Sequence, residues 1–200
     1  MYRARTLFDH LSVESVAPRL TESVLIVVDA QREYVDGSLP LYKIDRSLNE
    51  IKILLERARK NKTPIFHLVH HAPAGAPIFD PNGEFVEIAE QARPVDGEPV
   101  VIKNLPGGFV NTNLHELITG TKRKNVIIAG FMTHMCIDAT TRGAADLGYN
   151  ATVVAATCTT RDVPSPSGGV VDATVLHNSS LAALADLVAM VVQDVADIPD

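Results

Sequence analysis

Cysteine is scarce in this chain. Only Cys136 and Cys158 occur among 200 residues. Two cysteines fit no disulfide framework, so a reducing cytoplasm is the expected compartment. Lysine and arginine nowhere form a dense cluster and the net charge is -6. That balance argues against nucleic acid or an anionic membrane as the main partner. No apolar run follows Arg3 and Arg5, so no signal peptide is expected. The most apolar late stretch, 181–192, is broken by Asp186 and is too short to span a bilayer. Internal repeats, linkers and low-complexity segments are absent. No Gly-x-Gly-x-x-Gly follows the first apolar run, and Leu105-Pro106-Gly107-Gly108 lacks the Lys-Ser/Thr ending of a P-loop. Dinucleotide binding is therefore disfavoured, and no cofactor is expected.

What the chain does have is the ordinary balance of a soluble globular protein, with 46% hydrophobic and 21% charged residues. A single domain over residues 1–200 is the default at this length, with the first twenty residues reading as an arm or a partner contact. Apolar runs at 23–28, 64–70, 99–103, 125–131, 151–156 and 188–192 read as strands. Helical patterns lie between them. One runs from a capping box at Ser47–Glu50 to about Asn61. Others cover 84–92, 111–119 (capped by Asn111 or Asn113), 137–147 and 170–187. The Pro/Gly/Ala-rich stretch 71–83 reads as a loop, and 165–169 as a turn or loop. Strands separated by helices predict an α/β chain: a parallel six-stranded sheet between two helical layers.

In such sheets ligands bind beyond the carboxyl ends of the strands, where the strand order reverses. Three reactive side chains fall at strand ends: Asp29, Lys103 and Cys136. If the order is 3-2-1-4-5-6, Asp29 and Cys136 face each other across the crevice. Cys136 sits between a strand and a helix, where free backbone N–H groups and the helix dipole favour a thiolate. Such placement can bring a thiol from about 8.5 into the ~3.5–7.5 range. A cysteine attacks a carbonyl carbon as thiolate, a carboxylate takes its proton, and a lysine steadies both charges. The plainer readings are a packed core cysteine, a capping aspartate and a solvated strand-end lysine. Each is common alone, and their coincidence at matching strand ends is what favours chemistry.

With those residues in view, the chain resembles the isochorismatase-like, or cysteine hydrolase, superfamily from about Ser23 to Val192. The matching pieces are Val27-Val28-Asp29-Ala30-Gln31-Arg32-Glu33-Tyr34, Val101-Ile102-Lys103 with Phe109 after it, and Gly130-Phe131-Met132-Thr133-His134-Met135-Cys136. The resemblance implies a three-layer αβα Rossmann-like fold with strand order 3-2-1-4-5-6 and a triad of Asp29, Lys103 and Cys136. It implies a cis peptide between Phe131 and Met132, with the N–H groups of Met132 and Cys136 facing an oxyanion. It places Gln31, Tyr34 and Phe109 along a substrate pocket, and it implies a homo-oligomer, dimer or tetramer.

Departures from the family are informative. Residues 35–45 lack the Asp-x-His pair of metal-binding nicotinamidases. His67, His70 and His71 lie nearby, but adjacent His70 and His71 point to opposite faces of a strand, so no metal site is expected. His134 stands where relatives often carry an acid or amide, and Gly107-Gly108 reads as a turn. Cys158 reads as packed, and His177 as structural or at a subunit contact. The expected activity is a metal-independent cysteine hydrolase that cleaves an amide or ureido C–N bond of a small molecule through a thioester. Two alternatives stay open: vinyl-ether hydrolysis of the isochorismatase type, and a non-catalytic small-molecule binder or thiol redox sensor.

Overall fold

The structure is a computed structural model that describes residues 4–13 and 16–200. Of the predicted N-terminal arm, residues 1–3 and 14–15 lie outside the described residues. The β-branched run Ser23–Val28 forms β1, and all six of its residues are buried, as suits a strand covered on both faces. In chain order follow α2 (Ile44–Lys60), β2 (Ile65–His70), β3 (Val100–Lys103), α3 (Leu114–Gly120), β4 (Asn125–Phe131), α4 (Asp138–Asp146) and β5 (Asn150–Thr159). A short hairpin of β6 (Val163–Pro164) and β7 (Val170–Val171), α5 (Ala173–Leu187) and β8 (Met190–Val192) complete the chain, and α1 (Leu7–His10) precedes it all. The main sheet is parallel, in the order β3-β2-β1-β4-β5-β8. This is the predicted order, with β8 as the sixth strand because the hairpin takes two numbers.

Alternation along the strands splits the core into two layers. Leu25 and Val27 pack with Leu48, Ile51 and Leu55 of α2 on one face. Val24, Ile26 and Val28 pack with Leu114 of α3, Ala144 of α4 and Leu184 of α5 on the other. Gly130 lets β4 lie close to β1. A Cβ there, at φ +121°, would stand 2.0 Å from the Val28 carbonyl oxygen. Beyond it the Phe131–Met132 peptide is cis.

Several boundaries differ from the sequence reading. Helix α2 starts at Ile44 after Lys43 in left-handed conformation, and Ser47 lies inside it. The Ser47 hydroxyl donates to the Cys158 carbonyl instead of capping a helix. Segment 84–92 is not one helix. Two 3-10 turns, Glu84–Val86 and Glu90–Ala92, flank a bridge between Gln31 and Ile88. The Ala89 N–H donates to Ala30, so strand-like pairing takes the groups a helix needs. Helix α3 begins at Leu114, and Asn113 makes no side-chain cap. β5 continues through Thr157, Cys158 and Thr159. Helix α5 begins at Ala173, capped by Asp172, because Val170 and Val171 pair with the preceding β6. Gly107-Gly108 forms a turn packed beneath α4, with the Gly108 N–H donating to Thr140 Oγ1 at 3.0 Å.

Candidate active site

Asp29 directly follows β1, and its φ of +47° lies in a region that short polar side chains tolerate better than most. Its N–H still donates to Leu68 of β2 at 2.9 Å, so the strand holds the carboxylate at its tip. On edge strand β3, Val101 and Lys103 point inward while Val100 and Ile102 are exposed. Lys103 spans β2, and its ammonium meets Asp29 Oδ2 at 2.7 Å, with both side chains fully buried. Nearby acceptors share the ammonium protons: Cys136 Sγ at 3.4 Å, the Leu105 carbonyl at 3.2 Å and the His70 ring at 3.4 Å. The three side chains predicted from strand ends thus meet in one buried cluster.

Cys136 lies in a π-turn, Thr133–Ile137, that joins β4 to α4. The Met132 carbonyl accepts from the N–H groups of Met135 and Ile137 at 3.0 and 3.2 Å. The regular helix begins only at Asp138. The expected low thiol pKa is overturned. Burial, reinforced by the Asp29 charge and by its hydrogen bond, pushes the Cys136 thiol up to about 12 against the pull of Lys103. Desolvation of a residue only 6% exposed outweighs a dipole whose helix starts two residues later. Burial also raises the Asp29 pKa despite the neighbouring ammonium. At rest, then, the proton sits on sulfur beside a carboxylate made more basic by desolvation.

The residues implied by resemblance to line a pocket fall in three environments. Tyr34 is buried edge-on against Phe79 and Phe131. Burial and the Asp29 charge raise its phenol pKa well above 10, so it remains a neutral O–H. Gln31 is fully buried and occupied with backbone. Its amide nitrogen donates to the His70 and Val86 carbonyls at 3.1 and 2.7 Å, and its oxygen accepts from the His70 N–H at 2.8 Å. It therefore clamps the site's walls instead of offering a free amide. Phe109 stacks on Tyr149 with ring centroids 6.0 Å apart and presses against Gly143. Those contacts hold it on α4, two turns beyond Cys136.

Other groups surround the predicted triad. The His70 ring, beside Lys103, has its pKa lowered to about 4 by burial and the Lys103 charge, so it is neutral and accepts from the ammonium. Thr133 donates to the Thr159 carbonyl at 3.0 Å and lies 2.8 Å from His177 Nδ1, so His177 of α5 steadies the turn that carries Met132. His134 Nδ1 lies 2.5 Å from Thr160 Oγ1. Arg161 follows immediately, and its charge acts on both Tyr34 and His134. The apolar run of β5 fades at Ala156, which hid Thr160 and Arg161 from the list of strand-end residues. Among the described residues, no three His, Cys, Asp or Glu side chains gather in a way that can hold a metal ion. No helix among them is long and apolar enough to cross a membrane.

Comparison with known proteins places these features in context. The family model described as the isochorismatase domain matches residues 23–193. A secreted isochorismatase effector from Verticillium dahliae is 39% identical over 166 residues, 83% of this chain and 85% of that protein. The crystal structure of an isochorismatase from Pseudomonas putida KT2440 superposes with a TM-score of 0.91 at 34% identity, covering 98% of this chain and 100% of the other. A streptothricin hydrolase from Streptomyces noursei is 30% identical over 141 residues, 70% of this chain and 51% of that enzyme.

Proposed function

This chain belongs to the isochorismatase domain family of hydrolases, and on that footing we propose that it is a cysteine hydrolase cleaving an amide or ureido C–N bond of a small molecule. The observation that carries this reading is the buried contact of Lys103 with both Asp29 and Cys136. The 30% identical streptothricin hydrolase supports hydrolytic chemistry on this scaffold. The same reading keeps the chain in the cytoplasm as a homo-oligomer, since both cysteines are free and Val100 and Ile102 leave apolar surface on the edge strand.

Asp29 takes the proton from Cys136 as the sulfur bonds to the carbonyl carbon. The carbonyl π electrons move to oxygen, and the N–H groups of Met132 and Cys136 hold that oxyanion. One such donor is typically worth about 2.7–4 kcal/mol. Collapse breaks the C–N bond, and the departing nitrogen takes the proton from Asp29. A thioester remains. Asp29 then accepts a proton from water as the water attacks, the C–S bond breaks, and the sulfur regains a proton. Lys103 keeps Asp29 in place and balances the charge at each step.

The thiol, protonated and nearly enclosed, is ill suited to redox sensing, because oxidation follows thiolate character and exposure. The test is an amide and ureide panel assayed with wild type and Cys136→Ala. The wild type is expected to release ammonia or amine and to show an acyl adduct by intact mass, and the variant neither. Equal turnover by both would exclude covalent catalysis.

A further inference from the structure

Thr133 immediately follows Met132, whose N–H is a proposed oxyanion donor, and the proposed chemistry leaves its side chain without a role. That side chain is fully buried. Its hydroxyl donates to the Thr159 carbonyl at 3.0 Å and lies 2.8 Å from His177 Nδ1. A hydroxyl has one proton and two lone pairs. With that proton committed to the Thr159 carbonyl, the contact with His177 is a hydrogen bond only if Nδ1 carries hydrogen. Burial lowers the His177 pKa below its usual 6.5, so near neutral pH the ring is uncharged and its single proton sits on Nδ1. The donors therefore run one way, from the imidazole of α5 through Thr133 to the backbone of β5.

The anchor points lie beside the reacting centre. Thr159 is in register with Phe131, so the carbonyl that ends this chain of donors adjoins the residue preceding Met132. His134, next along the turn, meets Thr160 Oγ1 through its own Nδ1. Successive residues of the turn are thus tied to the end of β5, while the Met132 carbonyl is held from within by the Met135 and Ile137 N–H groups. An oxyanion donor is effective when it is fixed in advance toward the place where charge develops. Removing the imidazole leaves Thr133 with one bond of its two and cuts the tie to α5.

We infer that His177 is a positioning residue for acyl transfer: its Nδ1–H, acting through the Thr133 hydroxyl, keeps the Met132 N–H aimed at the oxyanion. This inference rests on the cysteine hydrolase reading above. Misplacement by about 1 Å can cost about 100-fold in rate, so loss of the imidazole donor should slow acylation of Cys136 by roughly 10- to 100-fold.

The experiment compares two reactions of the same sulfur. p-Nitrophenyl acetate acylates it: the sulfur bonds to the carbonyl carbon, the π electrons pass to oxygen and back, and p-nitrophenolate leaves with the bonding pair while Asp29 holds the thiol proton. Iodoacetamide alkylates it by displacing iodide at a saturated carbon, so no oxyanion forms. Both rates are followed at Cys136 by peptide mapping in wild type, His177→Leu, His177→Asn and Thr133→Val. His177→Leu should slow acylation by the stated factor and leave alkylation unchanged. His177→Asn, whose amide N–H falls near the place of Nδ1–H, should restore most of the loss. His177→Leu combined with Thr133→Val should be no slower than Thr133→Val alone, because the histidine acts through the hydroxyl. Should His177→Leu unfold, seen as fast alkylation of both cysteines, His177→Gln against His177→Asn carries the test, since Gln places its amide where Nε2 stood and should stay slow. Unaltered acylation in the variant lacking the donor, equal slowing of acylation and alkylation, or no recovery in His177→Asn overturns the positioning role and leaves the cysteine hydrolase reading standing. A wild type whose Cys136 is acylated neither by the ester nor by any member of the amide and ureide panel overturns both.

Discussion

A thiol held at a pKa of about 12 should be a poor target for ordinary alkylating agents. At pH 7.5 it is thiolate in roughly 3 of 100,000 molecules, whereas a free cysteine near 8.5 is thiolate in about one of eleven. That gap is about 3,000-fold. A more basic thiolate is also intrinsically more nucleophilic. With a Brønsted slope of about 0.45 over 3.5 pKa units, roughly 40-fold is regained. The net expectation is alkylation of Cys136 about 70-fold slower than a cysteine peptide, and slower still because the residue is buried, with 6% of its surface exposed. The assay is a timed iodoacetamide pulse between pH 6 and 10, followed by peptide mapping to separate Cys136 from Cys158. The rate at Cys136 should climb about tenfold per pH unit throughout. A rate that levels off below pH 8, or that matches the peptide, refutes the claim that burial beats the helix dipole here.

Three further outcomes follow from the same geometry. Asp29→Asn leaves a fully buried ammonium without its counter-ion, and should cost about 3–5 kcal/mol in urea unfolding besides abolishing turnover; unchanged stability contradicts the tight pairing. Gly130→Ala should lower stability by about 3 kcal/mol or more, measured by the same titration, because the new methyl would meet the Val28 backbone at 2.0 Å. Glu98 donates nothing and accepts from Arg59 and His67, which hold its pKa near about 2 although burial opposes them. A folded-state pKa below the unfolded 4.5 means that this stability is present above pH 4.5 and lost as pH falls from there toward 2. Glu98→Gln should flatten the acid limb of the stability profile over that window, and an unaltered limb counts against the pairing.

Much of the fold was legible because its strands are continuous apolar runs. β1 has no residue to contradict a buried parallel strand, and its neighbour β4 is nearly as plain. Boundaries failed where a local signal had a second use. The Ser47 hydroxyl looks like a cap, but it serves the Cys158 carbonyl across the core. Thr157 and Thr159 ended the apolar run, yet β-branched residues fit a pleat well, and β5 carries on through them. At the site, Asp29, Lys103 and Cys136 were visible because each closes or follows a strand. The thiol's true electrostatics were not, because desolvation is set by what the distant loops cover. The part His70 plays was hidden for a related reason: the ammonium it accepts from comes from another strand, and no spacing along the chain announces it.

Gln31 reads main-chain atoms on both of the segments it joins. Such a staple is indifferent to the side chains it holds. Position 86 can change freely as far as this clamp is concerned, as long as its carbonyl stays put, and position 70 need only keep its amide hydrogen for the clamp, although its ring also meets Lys103. The walls around the sulfur are thus free to diverge in chemistry while their spacing is preserved, which is how one scaffold comes to serve many substrates.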